Sequence, residues 1–310
     1  PIYGGANARP FETHHNALDV PLYMKISPEL YLKRLIIGGF EKVYDLNRNF
    51  RNEGVDTTHN PEFTMMEFYQ AFIDYEEIMN MTEQLYEHVA NSVFGTTRFK
   101  WGKHEIDVKA PWKRITMVDA LKEHAKIDPK KLSDDELKDF LNGYNIEFEC
   151  DFSRGMAIQL LFEELCEDKM IEPIFVIDHP LESTPLCKQL RGDSAFVERL
   201  EPYICGMEVG NGYSELNDPI LQRKRLEVQA EQLRAGASEA HPMDEDFIEA
   251  IEYGMPPTGG MGISIDRMVM VMTGSISIRD VILFPTMKPD CRTVEEQEAA
   301  LNAELKASLK

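Results

Sequence analysis

The chain has 310 residues, 43% of them hydrophobic, and carries a formal net charge of −21. Its length and ordinary composition predict a soluble globular protein with a sizeable core. No apolar run reaches the roughly 18 residues of a membrane span, and no basic-then-apolar start suggests a signal peptide, so we expect no membrane partner. The excess of acids excludes a basic surface along the whole chain, so a nucleic-acid partner would need local contacts or another module.

The cysteines and the first residue add two expectations. The cysteines form no CxxC pair, which predicts reduced thiols in a cytoplasmic protein rather than a disulfide framework or a zinc site. They are Cys150, Cys166, Cys187, Cys205 and Cys291. Because the chain begins with Pro1 rather than Met, we expect it to be a fragment or to have lost its true start.

Capping residues and side-chain alternation predict the elements of the first third of the chain. In chain order they are a helix from Ser27 and Pro28 to about Ile37, ended by Gly38-Gly39; a strand from Lys42 to Arg51; a strand ending near Tyr69 or Phe72; and a helix over Glu76–Val93, opened by Asp74 and closed by Gly95.

The rest of the chain mixes short strands with helices. The predicted elements are a strand at Glu105–Val108; helices at Thr116–His124, Ser133–Leu141 (with a Ser133/Glu136 capping box) and Met156–Asp168; a buried strand at Glu172–Asp178; strand over most of Glu201–Asn217; helices from Asp218-Pro219 to about Arg234 and over Asp244–Tyr253; a strand at Ile263–Ile265; a helix from Asp266-Arg267; and a polar helix capped by Thr293 and Glu296.

These elements predict the fold class. Strands that are far apart in sequence, separated by helices of varied length, favour an α+β fold with a mixed, mainly antiparallel sheet flanked by helices. We expect one domain over residues 1–310, with a small peripheral helical insertion at about residues 100–170.

Two consecutive predicted strands near the N-terminus carry the most informative pattern. Arg51 ends the first strand, and a polar loop with His59 follows. In the second strand Phe63, Glu67 and Tyr69 share one face, because strand side chains alternate. That face offers a ring, an anion and a hydroxyl, while Arg51 and His59 offer groups for phosphate. Such a surface suits a nucleotide beside a small cationic molecule.

Two later segments offer related chemistry. Asn211, Tyr213 and Glu215 alternate with small or apolar residues and so share one strand face, although a polar face is also typical of a solvent-exposed strand. The run Gly259-Gly-Met-Gly-Ile-Ser-Ile-Asp-Arg267 combines glycines, which permit close backbone approach, with an arginine that opens a helix. No Walker loop or dinucleotide fingerprint is present, so a nucleotide would bind in another geometry.

These patterns resemble a known family. The segment from Phe50 to Tyr69 resembles motif 2 of the class II aminoacyl-tRNA synthetases, and Gly259–Arg267 resembles motif 3. The segments Gly4–Phe11, His14–Asp19 and Pro28–Leu35 are similar to the lysine-specific branch, and the resemblance covers nearly the whole chain. The implied fold is the class II synthetase catalytic core, with motif 1 and the anticodon-binding barrel outside this chain.

The resemblance implies a lysine pocket. Glu215 and Tyr69 would contact the ε-ammonium, Arg51 the carboxylate, and Glu29 with Glu67 the α-amino end. A pocket built of carboxylates selects a cation, because a neutral isostere would leave buried charges unpaired. The implied lysine-binding residues are Gly5, Glu29, Arg51, Glu67, Tyr69, Asn211, Tyr213 and Glu215.

The resemblance also implies an ATP site and its metal. Arg51 would contact the α-phosphate and Arg267 the γ-phosphate, and both would act as catalytic residues. Hard oxygen ligands and phosphate are what Mg²⁺ prefers. The remaining implied contacts are Glu53 on the adenine side, His59 on the outer phosphates, Phe63 stacked on the base, and Glu201 and Glu208 as ligands of Mg²⁺.

The implied reaction needs no enzyme nucleophile. The lysine carboxylate attacks the α-phosphorus of ATP, giving lysyl-adenylate and pyrophosphate, and the lysyl group passes to the 3′ end of tRNA(Lys). Catalysis would consist of positioning and of neutralising phosphate charge. The intact protein is expected to be a cytoplasmic homodimer.

Several positions depart from the lysine-specific pattern. Ser27 stands where lysine synthetases commonly have Ala, and a paralogue that attaches β-lysine to elongation factor P also has Ser there. In contrast, Gly262 keeps the small residue that this paralogue replaces with a larger one. Ser264 replaces a usual Gly, and Met207 and Thr58 replace common basic residues. Two alternatives therefore stay open: a lysyl or β-lysyl ligase that modifies a protein such as elongation factor P, and a non-catalytic synthetase-like binding or regulatory protein.

Overall fold

The computed structural model describes residues 2–146, 152–236 and 240–287. Within these ranges, strands and helices alternate along the chain. The strands are β1 (Glu12–His15), β2 (Val20–Tyr23), β3 (Lys42–Phe50), β4 (Glu62–Ala71), β5 (Arg98–Trp101), β6 (His104–Asp107), β7 (Lys113–Thr116), β8 (Ile174–Pro180), β9 (Gln189–Leu190), β10 (Asp193–Ile204), β11 (Met207–Glu208), β12 (Gly210–Ser214) and β13 (Thr258–Ser264). The helices are α1 (Glu29–Ile37), α2 (Tyr75–Phe94), α3 (Met117–Ala120), α4 (Asp134–Gly143), α5 (Arg154–Leu165), α6 (Pro219–Arg234), α7 (Glu245–Glu252) and α8 (Ile265–Thr273).

A central sheet organises the molecule. Among the described residues it has nine strands, in the order β3-β4-β13-β12-β10-β8-β7, with β9 and β11 paired to β10. Neighbouring strands in the described part of this sheet are antiparallel, except for β7 and β8, which are parallel. The α+β fold with a mixed, mainly antiparallel sheet is therefore confirmed.

Several predicted helix boundaries are confirmed by their caps. Asp74 caps α2, which ends at Gly95 in the left-handed conformation. Ser133 and Glu136 form the capping box of α4, and the Asp218 side chain accepts hydrogen bonds at the start of α6. These local signals fix boundaries because a helix end leaves backbone groups without partners.

Other boundaries differ from the prediction. Helix α1 begins at Glu29, with Pro28 rather than Ser27 as its N-cap. Strand β10 begins at Asp193, eight residues before the predicted start at Glu201. The predicted helix at Thr116–His124 is α3 followed by a π-helical turn. The helix predicted from Thr293 lies outside the described residues.

The region of residues 100–170 is joined to the central sheet. Strand β7 lies parallel to β8 and forms an edge of that sheet. Helices α4 and α5 pack with this edge in a second apolar cluster that contains Leu121, Leu137, Phe162 and Val176. The division of the chain into one domain with an insertion stays a prediction.

The sheet has a core face and an open face. Met66 and Phe68 of β4, with Met261 and Ile263 of β13, pack into the main apolar cluster with α2 and α8. The alternate residues of the same strands point the other way. No helix in the described ranges combines the length and the apolar character that a membrane span requires.

The cap of α2 gives a first prediction. Asp74 accepts a hydrogen bond from the Glu76 amide at 3.1 Å. Replacing Asp74 with Ala should lower the free energy of unfolding by about 1 kcal/mol, because one backbone donor loses its partner. Urea denaturation measures this change. Gln84→Ala, at an exposed position of the same helix, is the control and should change stability by less than about 0.5 kcal/mol. Equal effects of the two substitutions would contradict the capping role.

Candidate active site

A cavity of about 310 Å³ opens on the face of the sheet opposite the main core. Strand β4 lines it with every second residue, as the alternation predicts. Sequence-predicted residues on its wall are Gly5, Glu29, Arg51, Glu53, His59, Phe63, Glu67, Tyr69, Glu208, Asn211, Tyr213 and Arg267. The structure thus brings twelve of the fourteen predicted site residues together, whereas Glu201 and Glu215 do not line the cavity.

The floor of the cavity is shaped by the glycines of β13. Gly262 lies between Glu67 of β4 and Asn211 of β12 in the sheet register. Gly260 lies between Tyr69 and Tyr213 in the same way. Since the central strand carries no side chain at these points, the side chains of both neighbouring strands can lean over it.

The two glycines differ in the space around them. A Cβ added to Gly260 would overlap Glu215 Oε1 and would lie 2.5 Å from Tyr69 Cδ1. A Cβ added to Gly262 would lie 3.5 Å from Glu67 Cγ, an ordinary contact distance. Gly260 is therefore required for the close approach of Glu215 and Tyr69, whereas Gly262 leaves free volume.

One end of the cavity is acidic and buried. Ser27 Oγ donates to Glu67 Oε1 at 2.7 Å, and Tyr69 Oη donates to Glu67 Oε2 at 2.8 Å. Ser27 Oγ also accepts from the Glu29 amide at 3.1 Å. Gly5 has a φ of +87°, and a Cβ there would lie 2.8 Å from Glu29 Cβ. The start of α1, strand β4 and the Gly5 backbone therefore meet at one point.

The same end contains a buried ammonium. Lys33 of α1 has no exposed surface, and its Nζ forms an ion pair with Glu29 Oε1 and lies 2.5 Å from Glu215 Oε2. Glu215 is only 1% exposed, and its Oε1 has no hydrogen-bond partner among the described residues. Because a buried carboxylate oxygen is costly without a donor, this atom fits a cationic ligand group.

Burial raises the pKa values of these acids. Burial and the nearby Glu29 charge raise the pKa of Glu67 to about 7. Burial raises the pKa of Glu215 to about 8, although Lys33 opposes the shift. The pKa of Glu29 is raised by burial as well, again against the effect of Lys33. Burial therefore favours the protonated form of these carboxyls, and a cation supplied by a ligand would favour their ionised form.

The other end of the cavity is cationic. The Arg51 guanidinium lies over the Phe63 ring, 5.1 Å from its centroid. Its buried Nε has no hydrogen-bond partner, and no carboxylate of the described residues lies within ion-pair distance. A guanidinium fork without an internal anion fits a carboxylate or phosphate oxygen of a ligand.

Arg267 ties three segments together at this end. Its Nη1 donates to the Glu208 carbonyl oxygen at 2.6 Å, and its Nη2 lies 3.0 Å from His59 Nε2. His59 Nδ1 lies 2.9 Å from Asp56 Oδ2, so Nδ1 carries the proton and Nε2 accepts from the arginine. The loop between β3 and β4 is thereby held against the first turn of α8.

The two predicted metal ligands are placed differently. Glu208 lines the cavity, and its Oε2 lies 3.7 Å from Arg267 Nη1. Glu201 pairs through Oε1 with Arg199, and its Oε2 accepts from Tyr203 Oη at 2.9 Å. In the described part of the chain, no three His, Cys, Asp or Glu side chains form a ready metal site. The donors fit a Mg²⁺ that takes phosphate oxygens and one carboxylate, Glu208.

The structure adds residues that the sequence patterns did not single out. Arg199 of β10 lines the cavity, donates to Asn211 Oδ1 at 3.2 Å and lies over the Tyr213 ring. His241 also lines the cavity, with Nε2 3.0 Å from Asn7 Oδ1. The alternation with Glu201 on β10 would have indicated Arg199, but nothing local to His241 indicates its position.

The crowding around Gly260 gives a second prediction. Gly260→Ala should lower the free energy of unfolding by about 1–3 kcal/mol, because the buried Tyr69 ring and Glu215 carboxylate must move. Gly262→Ala is the matched control on the same strand and should cost less than about 1 kcal/mol. Chemical denaturation of both variants measures the difference. If the two variants were equally stable, the packing described for Gly260 would be wrong.

The raised pKa of Glu67 gives a third prediction. Since its pKa is about 7 in the folded chain and near 4.5 when unfolded, folding takes up protons, and stability falls as pH rises from about 4.5 through about 7. Glu67→Gln should remove up to about 3 kcal/mol of that fall. Thermal unfolding followed from pH 4.5 to 8 measures the slope. The exposed Glu77→Gln is the control, and an unchanged slope in Glu67→Gln would refute the assignment.

Comparisons with known proteins agree with this geometry. A family model described as tRNA synthetases class II (D, K and N) matches residues 1–288. A lysine--tRNA ligase of Clostridium kluyveri is 55% identical over 292 residues, which is 93% of this chain and 58% of that protein. Ligases of the same name from Clostridium perfringens and Clostridium botulinum are 54% and 52% identical over 293 residues, again 93% of this chain and 58% of theirs.

The chain therefore spans 58% of the length of these relatives. The family model, in contrast, matches nearly all of this chain. The predicted motif 2 and motif 3 residues, from Arg51 to Arg267, lie within the matched range and on one cavity. The chain belongs to the class II tRNA synthetases, in the group described by the letters D, K and N.

Proposed function

We propose that the chain activates L-lysine with ATP, forming lysyl-adenylate and pyrophosphate, and that the whole protein transfers the lysyl group to tRNA(Lys). The observation that carries this proposal is the acidic end of the cavity. Glu29, Glu67 and Glu215 are buried together there, and Lys33 pairs with Glu29 and Glu215. The relatives named lysine--tRNA ligase support the same substrate.

The charge of the acidic end distinguishes among aspartate, lysine and asparagine, the amino acids that the letters D, K and N of the family description denote. Aspartate would place a second carboxylate among Glu29, Glu67 and Glu215, and like charges in a buried site repel strongly. Asparagine brings only its α-ammonium and would leave one carboxylate charge unpaired, which is costly. Lysine brings two ammonium groups and reaches both ends of the acidic cluster. The charges of the cavity therefore favour lysine.

The charge difference between the two ends would orient the substrate. An α-carboxylate is attracted to Arg51, while both amino groups are attracted to the acids. This orientation directs the carboxylate toward the part of the cavity that contains Arg267, His59 and Glu208, where ATP phosphates would bind. The proposed catalysis is the positioning of the two reactants and the neutralisation of phosphate charge by the two arginines.

We assign the remaining predicted residues to ATP and its metal. Phe63 offers a ring face for the base and Glu53 an exposed carboxylate beside it. Mg²⁺, when bound, would neutralise phosphate charge, and Glu208 would hold it. Glu201 keeps its proposed role only if its carboxylate exchanges its bonds to Arg199 and Tyr203 for the metal.

The acceptor and the assembly are proposed from the relatives. Their printed name favours tRNA as the acceptor. That the enzyme is cytoplasmic and acts as a homodimer is proposed from the family resemblance alone. Ser27 is the reason to test a protein acceptor as well as tRNA. Its hydroxyl contacts the Glu67 carboxylate that would bind the amino group of the substrate. Supplying tRNA(Lys) and elongation factor P in parallel, with L-lysine and β-lysine, distinguishes the two acceptors.

Lysine-dependent pyrophosphate exchange gives a fourth prediction. The chain should exchange labelled pyrophosphate into ATP with lysine, and Arg51→Ala should lower kcat/KM for lysine by about 100-fold or more, because transition-state charge loses its partner. Arg48→Ala, on strand β3 three residues before Arg51, is the matched control. Arg48 is exposed and pairs with Glu62, so its removal should change the rate less than about threefold.

Two results would count against the proposal. If full-length protein shows no exchange with lysine, while another amino acid supports exchange, the substrate assignment fails. If calorimetry shows nucleotide binding but no amino acid supports turnover, the chain is instead a synthetase-like binding protein.

A further inference from the structure

Lys33 is a fully buried lysine that lies behind the cavity wall. It comes from α1, one turn after Glu29, and pairs with the Glu29 carboxylate on its own helix. It also reaches Glu215, which follows β12 and approaches the floor at Gly260. One internal cation therefore joins two of the three carboxylates that are buried at the acidic end of the cavity.

The charges around Lys33 can be counted. Glu29, Glu67 and Glu215 supply three negative charges when ionised, and Lys33 neutralises one of them. Two negative charges remain. Lysine carries two ammonium groups, and its α-carboxylate has its own partner in Arg51. The chain's own charges thus complement a diammonium amino acid.

The other titratable groups around the cluster leave this count unchanged. Tyr69 and Tyr213 stay neutral, because burial and nearby acids raise the pKa of Tyr69 and burial raises that of Tyr213. Burial, with Lys33 adding to it, lowers the pKa of His241 to about 4. Burial raises the pKa of Cys187 well above its usual range. Arg199 is paired with Glu201, outside the cluster.

We propose that Lys33 is a specificity-determining positioning residue, a built-in cation that holds Glu29 and Glu215 in place and leaves the pocket two negative charges for the two ammonium groups of the substrate. The inference rests on the proposed function, because it concerns how the same pocket selects lysine. Lys33 does not contact the substrate. It acts through the two carboxylates.

Calorimetry of lysine binding tests this role through protons rather than activity. In the chain without ligand, carboxyl groups with raised pKa values hold protons, and the ammonium groups of the substrate displace these protons. Without Lys33 those pKa values rise further, so Lys33→Met should release about one more proton per lysine bound at pH 8 than the unmodified chain. Titrations in buffers of different ionisation enthalpy give this number. Lys33→Arg keeps the charge and should match the unmodified chain.

A second measurement uses the unmodified chain and does not depend on the folding of a variant. Norleucine has the length of lysine without the ε-ammonium. At pH 7, the binding of lysine should release about one more proton than the binding of norleucine. Norleucine has no ε-ammonium, so one carboxyl of the cluster keeps its proton. Equal proton release for the two ligands overturns the charge count, even if Lys33→Met does not fold.

The outcomes separate this inference from the proposed function. If the unmodified chain binds lysine and Lys33→Met releases the same number of protons, Lys33 is only structural and the inference fails alone. If the unmodified chain does not bind lysine, the proposed function fails first. Increased proton release in Lys33→Met, with Lys33→Arg unchanged, supports the charge-setting role.

Discussion

The burial of three carboxylates beside one lysine is the interaction on which the site depends. Bringing Glu29, Glu67 and Glu215 out of water is costly, and Lys33 offsets only part of the cost. The remainder is visible as raised pKa values, to about 7 for Glu67 and about 8 for Glu215. A ligand that supplies cations relieves this cost. Folding stability and ligand affinity therefore draw on the same charges, and a cationic substrate should also stabilise the fold.

The sheet makes such a cluster possible. Gly260 and Gly262 leave the middle strand without side chains where β4 and β12 carry Tyr69 and Glu67 on one side, and Tyr213 and Asn211 on the other. The opposite face of β13 carries Met261 and Ile263 into the main core. One strand therefore combines an apolar anchor with an open floor, and the alternation of a strand allows both functions at once.

The sequence predicts what is local and periodic. The face with Phe63, Glu67 and Tyr69 follows from alternation within one strand, and the caps of α2 and α4 follow from side chains next to the helix ends. Lys33 shows why the rest could not be predicted. A Glu29/Lys33 pair at helical spacing is typical of an exposed surface, and only the long-range ion pair of Lys33 with the buried Glu215 reveals its burial. The early start of β10 was missed because it carries Glu198 and Arg199, charges that are buried only through tertiary partners.

The polarity of the cavity connects these observations to catalysis. A carboxylate that is to attack phosphorus must lie near the phosphates, although it and they repel each other. The guanidinium of Arg51 lines the same cavity as the acids and as Arg267, Glu208 and His59, and it can attract both anions. In the proposed binding mode the acids hold the amino groups at the far end, so the carboxylate would be the substrate group nearest to Arg51. The buried charges that select the amino acid would then also present its reactive group to ATP, so recognition and positioning would rest on one arrangement.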